Sequence, residues 1–136
     1  MAVVFLDLDK FKPVNDNYGH SVGDLLLQDV AHRIEACVRE SDTVARMGGD
    51  EFVVLLRTTS QAADALAVAE KIRNSLNQPF DLAGHHLEIS CCIGVAIFPQ
   101  HGQDDLSLSK NADSAMYQAK DNGRNRVQLF TTPTSS

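Results

Sequence analysis

The feature that most constrains this chain is a pair of glycines followed by two carboxylates, GGDE at residues 48–51. Five apolar residues, 52–56, come next, and a short β-prone segment, 43–46, precedes the glycines. Two β-prone runs around a Gly-Gly pair predict a β-hairpin, because glycine supplies the positive φ angles of a tight turn. Adjacent carboxylates at the tip repel each other, and a divalent cation bound by their oxygens would offset that repulsion. From this stretch alone, a plain solvated turn is the alternative.

A second pair of carboxylates ends the first predicted strand. Residues 2–8 are almost continuously apolar, which predicts a strand that is covered on both faces. Asp7 and Asp9 follow one another at a spacing of two, so both point to the same face of the strand. A buried carboxylate is costly to desolvate without a partner. We therefore expect Asp7 to meet an ion or another partner, or else to cap the following loop.

The remaining pattern predicts three helices and two more strands. Pro13 and several turn-forming residues indicate a loop over 10–20, and a helix follows with Ser21 as its N-cap and Asp24 in its first turn. That helix should end near residue 40. The other predicted elements are a helix over 58–77, a turn-rich connector over 80–86, a strand over 87–98, a helix over 105–122 and a strand over 126–130.

This order of elements predicts an α+β fold, a ferredoxin-like βαββαβ palm with an additional C-terminal helix and strand. In the ferredoxin-like unit the helices lie on one face of an antiparallel sheet, and the first strand neighbours the hairpin. That topology brings Asp7 next to Asp50 and Glu51. We expect one domain over residues 1–130 and a flexible tail over residues 131–136.

Charge and composition exclude several classes of protein. The net charge of −6 argues against a nucleic-acid polymer or an anionic membrane as the partner. No apolar run approaches the ~20 residues of a membrane span, and no signal peptide is evident. The three cysteines are odd in number and have no CxxC spacing, which is typical of reduced core residues. We expect a cytoplasmic segment, with any membrane anchor of a longer parent protein outside it.

Several separated motifs at consistent spacing resemble the GGDEF domain, the catalytic module of diguanylate cyclases. The resemblance covers nearly the whole chain. The matching stretches are FLDLDKFKPVNDNYGH at 5–20, GDLLLQDVAHRI at 23–34, RESDTVARMGGDEF at 39–52, SCCIGVAIFP at 90–99 and NADSAMYQAKDNGRNRV at 111–127.

The resemblance implies a reaction in which two GTP molecules form cyclic di-GMP and release two pyrophosphates. Because one site holds one GTP, it also implies a homodimer, at least during catalysis. By resemblance, Asp7, the backbone carbonyl of Leu8 and Asp50 hold Mg²⁺ or Mn²⁺. Glu51 either joins the metal ligands or orients the attacking 3′-hydroxyl, and Arg46 stabilises the transferring charge.

The resemblance also implies which residues bind GTP. Asn15 and Asp24 match the pair that contacts guanine, although each is also an ordinary turn or helix-start residue. The expected phosphate contacts are Lys12, Lys120 and Arg124, together with the backbone of Gly48 and Gly49. The alternative for Lys120 and Arg124 is that they are solvated charges at a helix end.

Arg39 and Asp42 match the RxxD motif of the family's product-inhibition site, which lies just before the hairpin. Arginine can grip phosphate or stack on guanine, whereas the alternative is a helix-end arginine followed by a turn aspartate.

One departure from the family concerns the first strand. GGDEF domains usually have a preceding helical segment, whereas this chain starts directly on that strand. The preceding helix would cover part of the sheet and of the nucleotide pocket, and regulatory domains also lie outside this chain. A catalytically weak or inactive module that binds GTP or cyclic di-GMP is therefore the alternative function. A template-directed polymerase palm fits poorly, because no basic groove is evident.

Overall fold

The computed structural model describes residues 1–131, which form seven strands and four helices. Their bounds are β1 (Ala2–Asp9), α1 (Phe11–Tyr18), α2 (His20–Cys37), β2 (Thr43–Gly48), β3 (Glu51–Leu56), α3 (Ala62–Asn77), β4 (Phe80–Leu82), β5 (His85–Leu87), β6 (Ser90–Ile97), α4 (Asp105–Asp121) and β7 (Arg126–Leu129).

Five strands form one sheet in the order β2-β3-β1-β6-β7. β1 lies at its centre and pairs antiparallel with both β3 and β6, and β7 is added parallel to β6. Without β7, the strand order β2-β3-β1-β6 is that of the predicted ferredoxin-like unit. The α+β prediction and the placing of the hairpin beside the first strand are confirmed.

The core has two layers because β1 is covered on both faces, as its sequence predicts. Alternate residues of β1, such as Val4 and Leu6, pack with α2 and α3 in the larger core. Val3 packs on the other face with Ala112 of α4. Gly94 of β6 lets α4 approach closely, since a Cβ there would lie 2.1 Å from the carbonyl oxygen of Ala112.

The predicted loop over residues 10–20 is wrong, because Phe11–Tyr18 forms α1. Pro13 falls in the first helical turn, where backbone N–H groups have no intrahelical partner and proline is tolerated. The buried side chain of Val14 anchors the helix to the core. The next helix is capped by Gly19 and starts at His20, so Ser21 is not its N-cap and Asp24 lies beyond its first turn.

Three further boundaries differ from the prediction. The connector over 80–86 contains a small hairpin, β4-β5, with Ala83 and Gly84 at positive φ in its turn, so β6 begins at Ser90. α2 ends at Cys37 and α3 begins at Ala62. The predicted tail lies, apart from Thr131, outside the described residues. None of the helices in residues 1–131 is long and apolar enough to cross a membrane.

Candidate active site

The acidic residues of the hairpin tip meet the end of β1. Asp7 faces Glu51 across the β1–β3 ladder. The backbone N–H of Leu8 donates to the backbone carbonyl of Asp50 at 3.1 Å. These two pairings place three carboxylates, from Asp7, Asp50 and Glu51, at one corner of the sheet.

The three carboxylates at this corner carry more negative charge than the single ammonium group paired with them balances. Asp7 is buried, and its Oδ2 forms an ion pair with Nζ of Lys120 from α4. Among residues 1–131, no group donates a hydrogen bond to the buried Oδ1 of Asp7. The pKa of Asp50 is raised, first by burial and then by the negative charge of Asp7, with a smaller contribution from Glu51. A cation bound here would favour the ionised form of Asp50.

The donor set fits a divalent metal ion such as Mg²⁺. Within residues 1–131, no group of three or more His, Cys, Asp or Glu side chains is arranged to hold a metal. Mg²⁺, however, is commonly held by one or two carboxylates together with water and substrate phosphates. Asp7 and Asp50 would supply the carboxylates, and the main-chain carbonyl of Leu8 adds an oxygen of the same hard type.

The hairpin tip is braced by Arg46. Its Nη1 donates to the carbonyl of Gly49 at 3.0 Å, and Gly48 and Gly49 have φ angles of 138° and 52°. The β2–β3 register shifts between Arg46 and Gly48, so the tip is irregular as well as tight. This conformation is unfavourable for residues with a Cβ, which explains the two glycines at the tip.

A cavity of about 460 Å³ lies between α2 and the hairpin. Asp24 and Gln28, one helical turn apart, line it from α2, and Arg46 and Phe52 line it from the hairpin. The cavity therefore extends from Asp24, which is expected to contact guanine, to the hairpin that carries Asp50. Gln28 was not predicted, and its spacing from Asp24 on one helix face was the available signal.

Asn15 lies under the start of α2 rather than in the lining of that cavity. Its Oδ1 is buried, and among residues 1–131 it has no hydrogen-bond partner. A Cβ at Gly23 would lie 1.8 Å from this oxygen, so Gly23 provides the space for the Asn15 amide. Gly23 was not predicted as a site residue. The signal was a glycine inside a predicted helix, which costs stability and calls for a packing reason.

The three predicted phosphate-binding residues lie in different settings. Lys12 is exposed on α1. Lys120 is paired with Asp7, and Arg124 contacts a different acid, Asp9, with Nη1 3.2 Å from Oδ1. A second cavity, of about 730 Å³, borders Arg124. Asp9 was not predicted as a site residue, although its alternation with Asp7 placed it on the same face.

Arg39 and Asp42 of the RxxD motif lie at the base of the hairpin, at the opposite end from Asp50. The two carboxylate oxygens of Asp42 accept hydrogen bonds from the backbone N–H groups of Arg39 and Arg57, each at 3.0 Å. Nη1 of Arg39 donates to Oγ1 of Thr58 at 3.0 Å, and the Arg39 side chain is exposed. Asp42 thus stabilises the turn at the base of the hairpin, and the inhibitory role of the RxxD motif stays a prediction.

Comparisons with known proteins agree on one family. Residues 1–126 match the family described as diguanylate cyclase, GGDEF domain. Over 95% of its length the chain is 54% identical to the bifunctional diguanylate cyclase/cyclic di-GMP phosphodiesterase MucR of Pseudomonas aeruginosa, of which it spans 19%.

Two solved structures extend the comparison to the fold. The crystal structure of the GGDEF domain of TpbB from Pseudomonas aeruginosa has a TM-score of 0.93 and 44% identity, covering 97% of this chain and 83% of that one. The GGDEF domain of DgcB from Caulobacter crescentus, in complex with c-di-GMP, has a TM-score of 0.86 and 29% identity, covering 96% and 78%.

Proposed function

Because the chain belongs to the GGDEF family of diguanylate cyclases, we propose that it condenses two molecules of GTP into cyclic di-GMP. Each 3′-hydroxyl oxygen bonds to the α-phosphorus of the other nucleotide, the bond from that phosphorus to the bridging oxygen breaks, and pyrophosphate leaves with the electron pair. The hydroxyl proton is transferred to a base or to water. The observation that carries this proposal is the meeting of Asp7 and Asp50, with a buried, unpartnered oxygen on Asp7 among residues 1–131.

We assign the carboxylates at this corner to a site for Mg²⁺ or Mn²⁺. Asp7, Asp50 and the carbonyl of Leu8 would hold the ion, with Glu51 beside them. When bound, such an ion lowers the pKa of an attacking hydroxyl and stabilises the charge of a leaving phosphate. Arg46, held at the hairpin tip by Gly49, is placed to stabilise charge on the transferring phosphate.

Guanine recognition is assigned to Asp24 and Asn15. A carboxylate accepts hydrogen bonds from N1–H and N2–H of guanine, which adenine does not offer in that arrangement. The exposed position of Asp24 in the cavity lining suits that role. The buried Oδ1 of Asn15 needs a donor, and its amide can bond a second edge of the base.

The triphosphate is assigned to the backbone of the hairpin tip and to cations from α1, from α4 and from the turn after α4. The proposed contacts are Lys12, Lys120 and Arg124, together with the backbone of Gly48 and Gly49. Lys120 already lies at the carboxylate corner through Asp7. Its ammonium is therefore within the region where a metal-bound triphosphate would lie.

Two copies of the chain are required for the reaction. One site offers one nucleotide, and each 3′-hydroxyl must reach the α-phosphate held by the other copy, so the two sites face each other about a two-fold axis.

We also assign the domain to the cytoplasm, because its proposed substrate GTP is supplied there. Cys37, Cys91 and Cys92 are free thiols, as expected of a reducing compartment.

Incubation with GTP or ATP and Mg²⁺ or Mn²⁺, followed by chromatography, tests the proposal. We expect cyclic di-GMP from GTP, little product from ATP, and no turnover by Asp50→Ala. Asp105→Ala removes an exposed acid at the far end of α4 and serves as the matched control with wild-type turnover. GTP binding without turnover would contradict the proposed activity and support the nucleotide-binding regulatory module.

We also propose that Arg39 binds the product and that Asp42 fixes the turn that carries it. The exposed guanidinium can contact phosphate or guanine, while both oxygens of Asp42 accept backbone hydrogen bonds. Arg39→Ala removes one side-chain bond, to Thr58, and leaves the turn intact. We expect the variant to keep its initial rate and to lose inhibition by added cyclic di-GMP. Unchanged inhibition would exclude Arg39 from the inhibitory site.

A further inference from the structure

Asp9 is a buried carboxylate that the proposed reaction does not use. It is 4% exposed and lies at the end of β1, two residues beyond Asp7. Two donors come from the neighbouring strand β6: Oγ of Ser90 at 2.8 Å and Sγ of Cys92 at 3.3 Å. Two more come from the turn after α4: Nη1 of Arg124 at 3.2 Å and the backbone N–H of Asn125 at 3.3 Å. Asp9 therefore ties that turn to the centre of the sheet.

The turn after α4 has an unfavourable backbone that needs such support. Gly123, Arg124 and Asn125 have φ angles of 118°, 63° and 46° in succession. Left-handed backbone is unfavourable for the two residues that carry a Cβ. The hydrogen bond from the Asn125 N–H to Asp9 stabilises this conformation directly. The Asn125 side chain is also held, because its Oδ1 accepts from Arg73 at 3.1 Å and from Asn77 at 3.0 Å.

The hydrogen bonds that hold the turn also fix the position of the Arg124 guanidinium. One nitrogen, Nη1, is held by the buried Asp9, yet the Arg124 side chain remains 59% exposed. A guanidinium has five N–H donors in a planar fork, so anchoring one side leaves donors for an outside acceptor in a fixed orientation. The exposed side borders the cavity of about 730 Å³, which Lys10 also lines. Asp9 and Glu88 also line this cavity and balance the two cations, so the feature that suits an anionic ligand is the fixed, exposed face of the Arg124 guanidinium rather than a net positive charge.

We propose that Asp9 is a positioning residue for nucleotide binding: it orients the guanidinium of Arg124 toward the triphosphate of GTP. This inference rests on the proposed function, in which Arg124 contacts phosphate. Asp9 itself does not touch the nucleotide, because its oxygens are buried and already accept hydrogen bonds from β6 and from the turn.

A double-mutant cycle on nucleotide affinity tests the proposal. The probe is the α,β-methylene analogue of GTP, added together with Mg²⁺. This analogue cannot be condensed, because a CH₂ group replaces the oxygen that bridges its α- and β-phosphorus atoms. Its affinity would be measured by calorimetry for wild type, Asp9→Asn, Arg124→Ala and the double variant. Asparagine keeps the size of the side chain but removes the charge that holds Arg124.

We expect Arg124→Ala to weaken binding about tenfold or more, the usual effect of losing a hydrogen bond to a charged group. Asp9→Asn should weaken binding about fivefold in the wild-type background and have no further effect when Arg124 is already alanine. An equal loss in both backgrounds, or no loss in either, would overturn the positioning role. If Arg124→Ala binds like wild type, the phosphate role of Arg124 fails, and the inference fails with it.

Ser90→Ala is the matched control. It removes the donor at 2.8 Å from the same carboxylate without altering Arg124 or the turn. We expect a lower free energy of unfolding and unchanged affinity for the analogue. A loss of affinity equal to that of Asp9→Asn would show that any disturbance of the Asp9 cluster weakens binding, which contradicts a specific role through Arg124.

A measurement on the wild-type protein covers the case in which Asp9→Asn does not fold. Side-chain NMR of Arg124 reports rotation of its guanidinium. Slow rotation before the analogue is added supports an orientation fixed by Asp9, whereas free rotation overturns it.

Discussion

Replacing Lys120 with methionine tests how the acids at the end of β1 are compensated in the free protein. Methionine keeps a long aliphatic side chain and removes the charge that pairs with Asp7. Burial lowers the pKa of Lys120, but the hydrogen bond and the negative charge of Asp7 outweigh it, so the pKa is raised overall. The contribution of the ammonium to stability is therefore fully present at neutral pH and is lost only as the pH rises through that raised pKa.

The magnitude follows from the burial of the pair. The side chains of Lys120 and Asp7 are 20% and 10% exposed. Removing one partner of a buried pair costs ~3–5 kcal/mol, whereas an exposed pair is worth ~1 kcal/mol or less. Asp7 would be left beside Asp50 with both oxygens uncompensated. Because the pair keeps some exposure, we expect Lys120→Met to lower the free energy of unfolding by about 3 kcal/mol without metal.

Urea denaturation with and without Mg²⁺ is the assay. An ion at ~100 times its dissociation constant stabilises the folded state by about 2.7 kcal/mol. We expect Mg²⁺ to stabilise Lys120→Met more than wild type, because the ion need not displace an ammonium from Asp7. Lys110→Met, an exposed lysine on the same helix, is the control and should change stability by less than about 0.5 kcal/mol.

Two results would refute this reasoning about Lys120. A loss below about 1 kcal/mol would mean that the pair behaves as a surface ion pair. Equal stabilisation of wild type and Lys120→Met by Mg²⁺ would mean that the ion does not bind at Asp7.

Three further predictions concern other close contacts. Gly94→Ala should lower the free energy of unfolding in urea by about 3 kcal/mol, because its Cβ would lie 2.1 Å from the Ala112 carbonyl oxygen; a loss near zero would show that α4 shifts freely. Gly23→Ala should displace the Asn15 amide and reduce the preference for GTP over ATP about fivefold in binding assays, and an unchanged ratio in a folded variant would remove Asn15 from guanine recognition. Burial lowers the pKa of His101, whose Nδ1 accepts the Ile97 N–H, so the unfolded chain takes up a proton that the native state does not. The free energy of unfolding should therefore fall as the pH drops below about 6.5, and His101→Asn should reduce that slope; an equal slope in the variant would contradict it.

The topology of the sheet could be predicted from the sequence. The almost continuous apolar run of β1 and the apolar run after the glycines predicted two strands, and the order of elements made them neighbours. The meeting of Asp7 and Asp50 then follows from strand pairing alone. The missed helix α1 shows the limit. Pro13 and nearby turn formers indicate a loop locally, but packing of Val14 into the core decides the conformation.

The side-chain contacts that α4 and the turn after it make with β1 were beyond prediction. Gly94 lets α4 lie directly on β6, and from this helix Lys120 pairs with Asp7. The Asp9 cluster likewise needs β1, β6 and the turn after α4 together. For Lys120 and Arg124 the sequence motif favours phosphate contacts, with solvated helix-end charges as the alternative. The fold buries Asp7 and Asp9 and pairs Lys120 and Arg124 with them, while the phosphate contacts of the two cations stay a prediction.

Formation of cyclic di-GMP as a function of protein concentration tests the central claim most directly. The protein would be incubated with GTP and Mg²⁺ or Mn²⁺, and the product would be quantified per molecule of protein across a wide range of concentrations. We predict that cyclic di-GMP forms and that the rate per molecule rises with concentration as pairs assemble. Absence of cyclic di-GMP at every concentration, from a folded protein that binds GTP, would contradict the account.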